Sequence, residues 1–467
     1  MLHFGTGGWR AVIGDDFTRE NIMLIAQGLA NWMHEHKKDE NPVIIGHDRR
    51  FLSDNAADWF SEVLTANQIK VIYMKRSMPT PMVMHYVQKH DLDFGIEITA
   101  SHNPSVYNGV KVIVKEGRDA PIEFTDELET YIARLTPADI RRMPIPNEYS
   151  RILVNPFNEY VDDILALLDT DTMRKRGARI LFNPMHGSGT YPLMCILYTT
   201  RCTVDPINWN RDAFFGGMMP APSPSSLQDL SDQVVQGRYE LGIALDGDGD
   251  RLGIIDSNGA YINANQILAM LYHYLHEYKG WRGPVVRNLA TTHLLDKLAE
   301  DLGEKCYEVP IGFKHISAKI DEVDAILGGE SSGGLTVRGH IHGKDSVYAA
   351  SLFIEMISAT GKTPTEYYAE LEAKYGVHRM VESNLRFAPE RKPEILKTLM
   401  EDKKIPAFDS PVERVNYEDG CKVYFENGDF VICRFSGTEP LLRIFAESDT
   451  ETKAQTYIDA FRNLLTI

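Results

Sequence analysis

The chain is predicted to take an α/β fold that closes in a smaller α+β module. The first three quarters alternate short β-rich runs with longer amphipathic segments, the pattern of βαβ units around mixed or parallel sheets. The final stretch, roughly ninety residues, changes to paired strands with flanking helices. The length, 467 residues, exceeds one hydrophobic core and corresponds to about three compact units, or four, at ~150 residues per domain.

Each element follows from local chemistry. Val43 to Gly46 reads as a strand, Ser53 to Ala66 as a helix with a serine cap, and Ile69 to Met74 as the next strand. The cycle restarts with a strand at Ala178 to Phe182, a helix at Tyr191 to Tyr198 and a strand at Leu241 to Leu245. A third cycle runs through a helix from Asn263, a strand near Val285, a helix from Thr291 and a strand at Ala325 to Leu327, before Gly328. The last segment holds a helix near Pro393 to Met400, a hairpin at Asn427-Gly428 and a final helix from Glu451. Stretches near Arg142 to Asn147 and Glu372 to Gly376 read as linkers.

The charge balance is 49 basic against 66 acidic residues, a formal −17. That argues against nucleic acid or an anionic membrane as partner, because no basic excess is available to neutralise a phosphate polymer. The five cysteines are odd in number and form no Cys-x-x-Cys pair. A two-residue turn at Asn427-Gly428 would set Cys421 opposite Arg434, with Cys433 facing the other side, so free thiols in a reducing compartment are expected. No signal-peptide pattern and no bilayer-length apolar run is seen, and cytoplasmic residence is the expectation.

Chemistry concentrates in a few loops. Asp246-Gly247-Asp248-Gly249-Asp250 follows the strand Leu241 to Leu245 and places three carboxylates at alternate positions of a tight turn. Carboxylates are hard ligands suited to Mg²⁺ or Ca²⁺, and the glycines let alternate side chains converge on one ion. An EF-hand loop is excluded, since its sixth and twelfth positions would here be Arg251 and Ser257. An acidic surface turn is the alternative.

Thr99-Ala100-Ser101-His102-Asn103-Pro104 brings a serine hydroxyl and a histidine to the end of the strand Phe94 to Ile98. Serine is a poor nucleophile at its free pKa, so catalysis there requires an adjacent base or a covalent phosphate on the oxygen; a polar turn with no duty is the alternative. Gly5 to Arg10 and Arg434-Phe435-Ser436-Gly437-Thr438-Glu439-Pro440 combine glycine, hydroxyls and arginine in the manner of anion-binding loops. Gly329-Glu330-Ser331-Ser332-Gly333 offers a carboxylate and hydroxyls suited to a sugar. His340 and His342 lack evident further ligands and read as loop polarity.

Taken in order, these loops resemble the signatures of the α-D-phosphohexomutase superfamily, from residue 4 to about residue 445: the opening glycine loop, the Thr-Ala-Ser-His-Asn-Pro loop, the metal loop, the sugar loop and the phosphate loop. Secondary matches are Gly46-His47-Asp48-Arg49-Arg50, Asn108-Gly109-Val110-Lys111, Gly312-Phe313-Lys314-His315 and Gly343-Lys344-Asp345. The resemblance implies three similar α/β domains with mixed sheets plus a smaller C-terminal α+β domain around a central cleft. The divisions expected are 1–148 for the phosphoserine loop, 149–257 for the metal, 258–373 for the sugar and 374–467 for the far phosphate.

It also implies roles. Ser101 would carry a phosphoryl group, pass it to a sugar monophosphate and regain the other phosphate from a bisphosphate intermediate. Mg²⁺ would sit on Asp246, Asp248, Asp250 and Ser101, with a sugar 1,6-bisphosphate as activator. Arg10 and Arg251 would bind the transferring group, and His102 or Lys111 would move the hydroxyl proton. Lys111 ranks first on the expectation that a lysine among cations has a lowered pKa. Arg434, Ser436, Gly437, Thr438 and Lys314 would hold the far phosphate, and Glu330 and Ser332 the ring hydroxyls. The expected function is a phosphoglucomutase, monomeric or homodimeric, interconverting glucose 1-phosphate and glucose 6-phosphate. A mutase for another sugar phosphate, or a silent sugar-phosphate binder, is the alternative. Gly334, where many relatives carry His, and Phe214-Phe215-Gly216-Gly217 favour the glucose branch.

Overall fold

The computed structural model describes residues 2–5, 8–144, 147–435 and 441–467. It divides into two compact units, Met1–Ala264 with Ser332–Thr365, and Asn265–Ser331 with Glu366–Ile467.

The first unit carries two mixed sheets. β1 (Trp9–Val12), β2 (Val43–His47), β3 (Val71–Met74), β4 (Phe94–Ile98), β5 (Tyr107–Val114), β6 (Arg118–Asp119) and β7 (Arg151–Val154) form one, in the order β1-β5-β4-β2-β3-β7 with β6 on β5. β2, β3, β4 and β7 are mutually parallel, whereas β5 runs antiparallel to β4 and so returns the chain beside the serine loop. Strands β2, β3 and β4 are buried at every position, the mark of a sheet covered on both faces. β8 (Arg179–Asn183), β9 (Thr203–Pro206), β10 (Leu241–Leu245), β11 (Leu252–Asp256) and β12 (Tyr261–Ile262) form the second, in the order β12-β11-β10-β8-β9. Its β10–β11 hairpin opens into the acidic run.

In the second unit, β13 (Val285–Asn288) lies between and parallel to β14 (Cys306–Val309) and β15 (Leu327–Gly329). A further short strand, β16 (Leu335–Val337), belongs to the first unit. β17 (Arg379–Arg386), β18 (Val412–Asn416), β19 (Cys421–Phe425), β20 (Phe430–Phe435) and β21 (Leu441–Ser448) make an antiparallel sheet in the order β17-β21-β20-β19-β18, with the helix Glu451–Leu465 packed against it. The α/β layers followed by an α+β module agree with the expected class. No helix among the described residues is long and apolar enough to cross a membrane.

Four local readings change. Ser53 does not cap its helix: its hydroxyl donates to Asp48 at 2.6 Å, and Leu52 takes the cap position. The hairpin loop has three residues, because the Phe425 N–H pairs with Asp429 and Gly428 takes φ +88, and the one-residue change sets Cys421 opposite Cys433. All five cysteines are free thiols. The strand read at Ala325 to Leu327 lies at Leu327–Gly329, because its glycines serve as contact points: a Cβ on Gly328 would come 2.4 Å from Ile320, and one on Gly329 2.2 Å from Leu268. Finally, Glu372 to Tyr375 is no linker but the end of the helix Pro364–Tyr375, stopped by Gly376 at φ +91.

A buried ionic cluster in the second unit joins β13 and β14 to β19. Arg287 grips Asp296 with two hydrogen bonds, at 2.7 and 2.9 Å, and Glu308 with a third, at 2.5 Å; Lys422 reaches the same Glu308 oxygen at 2.6 Å. Burial and the nearby Arg287 guanidinium push Lys422 down to about 7, with Glu308 opposing, from an ordinary value of 10.5. Between those two pH values the unfolded chain binds a proton that the folded one does not. Stability should therefore rise with pH across that window, by at most about 1.4 kcal/mol per unit. Urea melts from pH 7 to 10 should show the rise in native protein and a flatter profile in Lys422→Met.

Candidate active site

The acidic run folds as a purse around its own first residue. Asp246 Oδ1 accepts the backbone N–H groups of Asp250, at 2.9 Å, and Arg251, at 3.1 Å, while Gly249 turns the chain at φ +73. Neighbouring elements pin the loop from outside. The Thr80 hydroxyl donates to Asp248 Oδ2 at 2.6 Å, and the Ser346 hydroxyl donates to the Gly249 carbonyl at 2.6 Å. The three carboxylates are wholly buried, and one oxygen from each lies within 4.8 Å of the others.

The serine loop connects β4 to β5 and meets this triad. Ser101 is 1 % exposed and takes φ +52, and its Oγ donates to Asp246 Oδ2 at 3.3 Å. The His102 Nδ1 lies 3.3 Å from the same Oγ. Lys111, on β5, donates to Asp248 at 2.7 Å and to Asp250 at 2.9 Å. Arg10, on β1, donates to Asn103 Oδ1 at 2.8 Å, and the Arg251 Nε lies 4.0 Å from Asp250.

The electrostatics fit a divalent cation. Burial, then repulsion from Asp248 and Asp250, pushes Asp246 well above the usual carboxylate range. Asp248 and Asp250 are held below it despite burial, chiefly by Lys111. Asp248 Oδ1 and Asp250 Oδ1 are buried with no hydrogen-bond partner. Two oriented, unsatisfied carboxylate oxygens beside a repelled third are a hard donor set with spare capacity. The triad and the Ser101 Oγ would hold Mg²⁺.

The comparisons with known proteins agree along the whole chain. The family described as phosphoglucomutase/phosphomannomutase matches with its alpha/beta/alpha domain I over residues 1–139, domain II over 158–259, domain III over 263–375 and its C-terminal domain over 382–464. A probable phosphoglucosamine mutase of Methanocella arvoryzae is 30% identical, with 97% of this chain and 96% of the relative covered. The chain belongs to the phosphoglucomutase/phosphomannomutase family. A phosphoglucomutase/phosphomannomutase of Thermococcus kodakarensis is 26% identical, over 99% of this chain and 98% of the relative. The crystal structure of a putative phosphomannomutase from Thermus thermophilus superposes with TM-score 0.86 at 28% identity, covering 100% and 99% of the two chains. The protein is thus an isomerase of the intramolecular phosphotransferase kind, in the α-D-phosphohexomutase superfamily, acting on sugar phosphates.

Within this family member, the first unit brings together Arg10, Ser101, His102, Lys111, Asp246, Asp248, Asp250 and Arg251. The expected cause of a lowered Lys111 pKa is not found. Burial acts to lower it, but the Asp248 and Asp250 carboxylates outweigh burial and the net shift is upward. His102 is pushed down by burial and then by Arg251 and Arg10, so its imidazole is neutral. Lys344 joins the site at 3.1 Å from Asp250, and Thr80 joins through Asp248. Lys344 had a sequence signal in Gly343-Lys344-Asp345; Thr80 had none.

The remaining predicted residues fall in the second unit, apart from Ser332. Glu330 is buried at the end of β15 and accepts from Asn288 at 3.4 Å; Ser332, which falls in the first unit, is exposed. Arg434 donates to Asp419 at 3.2 Å, and the other Asp419 oxygen accepts the Ile311 N–H at 3.0 Å, tying the loop that leads to Lys314 to the arginine. Sequence reasoning missed Asp419. Ser436, Gly437 and Thr438 lie outside the described residues.

Proposed function

We propose that the protein is a phosphoglucomutase working through a phosphorylated Ser101. The observation that carries the phosphoserine is the placement of the buried Ser101 Oγ against Asp246, with His102 beside it and Lys111 and Arg10 around it. In the forward half-reaction the free hydroxyl of the sugar monophosphate attacks the phosphoryl phosphorus. The new P–O bond forms to the sugar oxygen, the P–O bond to Ser101 Oγ breaks, and the hydroxyl proton passes to the His102 imidazole, where the phosphoryl dianion beside it offsets the burial and the Arg251 and Arg10 charges that otherwise disfavour the imidazolium. In the second half-reaction the Ser101 oxygen takes the other phosphoryl group from the bisphosphate, and the proton returns. Arg10 and Arg251 neutralise the equatorial oxygens of the transferring group, and Lys111 orders Asp248 and Asp250. Mg²⁺, when bound, neutralises phosphoryl charge and polarises phosphorus. Arg434, with Ser436, Gly437, Thr438 and Lys314, holds the phosphate that is not reacting, while Glu330 and Ser332 hold ring hydroxyls. A glucose 1,6-bisphosphate primes the serine, the chain acts as a monomer or homodimer, and it resides in the cytoplasm.

Gly334 after the sugar loop and the Phe214–Gly217 stretch support glucose. A second reading, glucosamine phosphate, is favoured by the names of several relatives, among them those of Methanocella arvoryzae and Methanopyrus kandleri. A coupled assay with Mg²⁺ and a trace of matching bisphosphate, comparing the 1-phosphates of glucose, mannose and glucosamine, separates them. The glucose substrate is expected to give the highest kcat/KM; preference for glucosamine moves the protein to the second reading.

A further inference from the structure

Among the described residues, the side-chain hydrogen bonds of Arg50 reach residues assigned to substrate or metal only at backbone oxygens, and its side chain is wholly buried. Its guanidinium nevertheless makes four hydrogen bonds, all to carbonyl oxygens around the serine loop. Nη2 donates to Ser101 at 2.5 Å and to Asn103 at 2.6 Å; Nη1 donates to Pro104 at 2.9 Å and to Tyr107 at 3.1 Å. Its Nε lies 3.2 Å from Asp48 Oδ2. The same Asp48 accepts the Thr99 hydroxyl at 2.7 Å, and the Thr99 oxygen in turn accepts the Ser101 N–H at 2.8 Å. Both backbone polar groups of Ser101 are therefore tied to one buried ion pair. The Phe215 ring covers the guanidinium, 4.8 Å from its centre.

Such a device answers a specific physical need. Ser101 sits at φ +52, a conformation that costs a non-glycine residue free energy and persists only when its surroundings fix it. The Gly247 Cα packs so closely on the Ser101 carbonyl that a Cβ there would lie 2.7 Å from the oxygen, so a small backbone shift would move Oγ relative to the triad. A planar fork of donors can hold four carbonyls at once, which a single ammonium cannot. Asn103, whose carbonyl Arg50 holds, also carries the side chain that receives Arg10.

We propose that Arg50, paired with Asp48, is a positioning residue that locks the left-handed Ser101 and so aims its Oγ at the Asp246–Asp250 triad. The catalytic half of this inference rests on the phosphoserine reading above; the locking half does not.

The test compares wild type, Arg50→Ala and Arg50→Lys by hydrogen exchange of the peptide covering residues 99–107 and by steady-state kinetics. Both variants are expected to exchange faster in that peptide, with the β10–β11 loop unchanged. kcat is expected to fall about 100-fold or more while KM moves within about threefold, the signature of a misplaced reacting group. Millimolar guanidinium should partly restore both readouts in Arg50→Ala, whereas methylammonium should not. Wild-type exchange in a folded Arg50→Ala, or a kinetic defect confined to KM, would overturn the proposal. If Arg50→Ala does not fold, the same criteria apply to Arg50→Lys. Failure of the phosphoserine reading shows separately, as wild-type turnover without phosphorylation of Ser101, and leaves the exchange prediction standing.

Discussion

Ser101→Ala is expected to lose sugar-phosphate isomerisation by about 10⁴-fold or more, because the hydroxyl is the proposed carrier and nothing near it can replace the oxygen. The neighbouring groups are nitrogen cations, a neutral imidazole and carboxylates, two of which accept from Lys111. Alanine also keeps a Cβ at φ +52 while losing the bond to Asp246, so some stability loss accompanies the change. Ser101→Gly removes the same hydroxyl without the Cβ penalty. Both variants should be inactive, with the glycine form melting at least as high as the alanine form in calorimetry. Recovery of turnover in the glycine form alone would mean that backbone disturbance, not the missing oxygen, caused the loss.

Lys111→Met is the second large effect. Its ammonium neutralises Asp248 and Asp250 while itself 3 % exposed, and removal leaves two buried carboxylates without their closest counter-charge. A kcat loss of about 10²- to 10⁴-fold is expected. In the metal-free protein the two carboxylates favour the protonated lysine over burial, and native activity is expected to show no limb near neutrality from Lys111 deprotonation. A kcat profile that rises through pH 7 to 8 in native protein and flattens in Lys111→Met would reinstate Lys111 as the base in place of His102.

The legible parts of the site are those in which one loop carries its own chemistry. Asp246 to Asp250 declared a cation site by alternation of carboxylate and glycine, and Ser101 was exposed as a candidate by its place at a strand end. Their juxtaposition rested on the family resemblance and is seen directly in the bond from Ser101 to Asp246. What stayed hidden depends on approach from another element. Thr80 lies in an ordinary Pro-Thr-Pro segment, and only the packing of its helix against the acidic loop gives it a role. Asp419 is one acidic turn residue among many until Arg434 and Ile311 meet on it. The Lys111 environment was misjudged for the same reason: its charged neighbours come from a hairpin far later in the chain.

The fold shows the same division. Ser53–Ala66 and Leu241–Leu245 fall where periodicity and burial place them. The β19–β20 register slipped by one because Asn-Gly admits both two- and three-residue loops, and the side chain of Asn427, which accepts the Asp429 N–H at 3.2 Å, accompanies the longer one.

The most direct test follows the phosphoryl group itself. Protein incubated with Mg²⁺ and glucose 1,6-bisphosphate labelled in its phosphoryl groups would be digested and mapped, before and after a chase with unlabelled hexose 1-phosphate. Label is expected on the peptide containing Ser101, at the serine, with transfer to sugar within one turnover. Isomerisation with no label on Ser101, or label there that the sugar cannot remove, would contradict the phosphoserine mechanism.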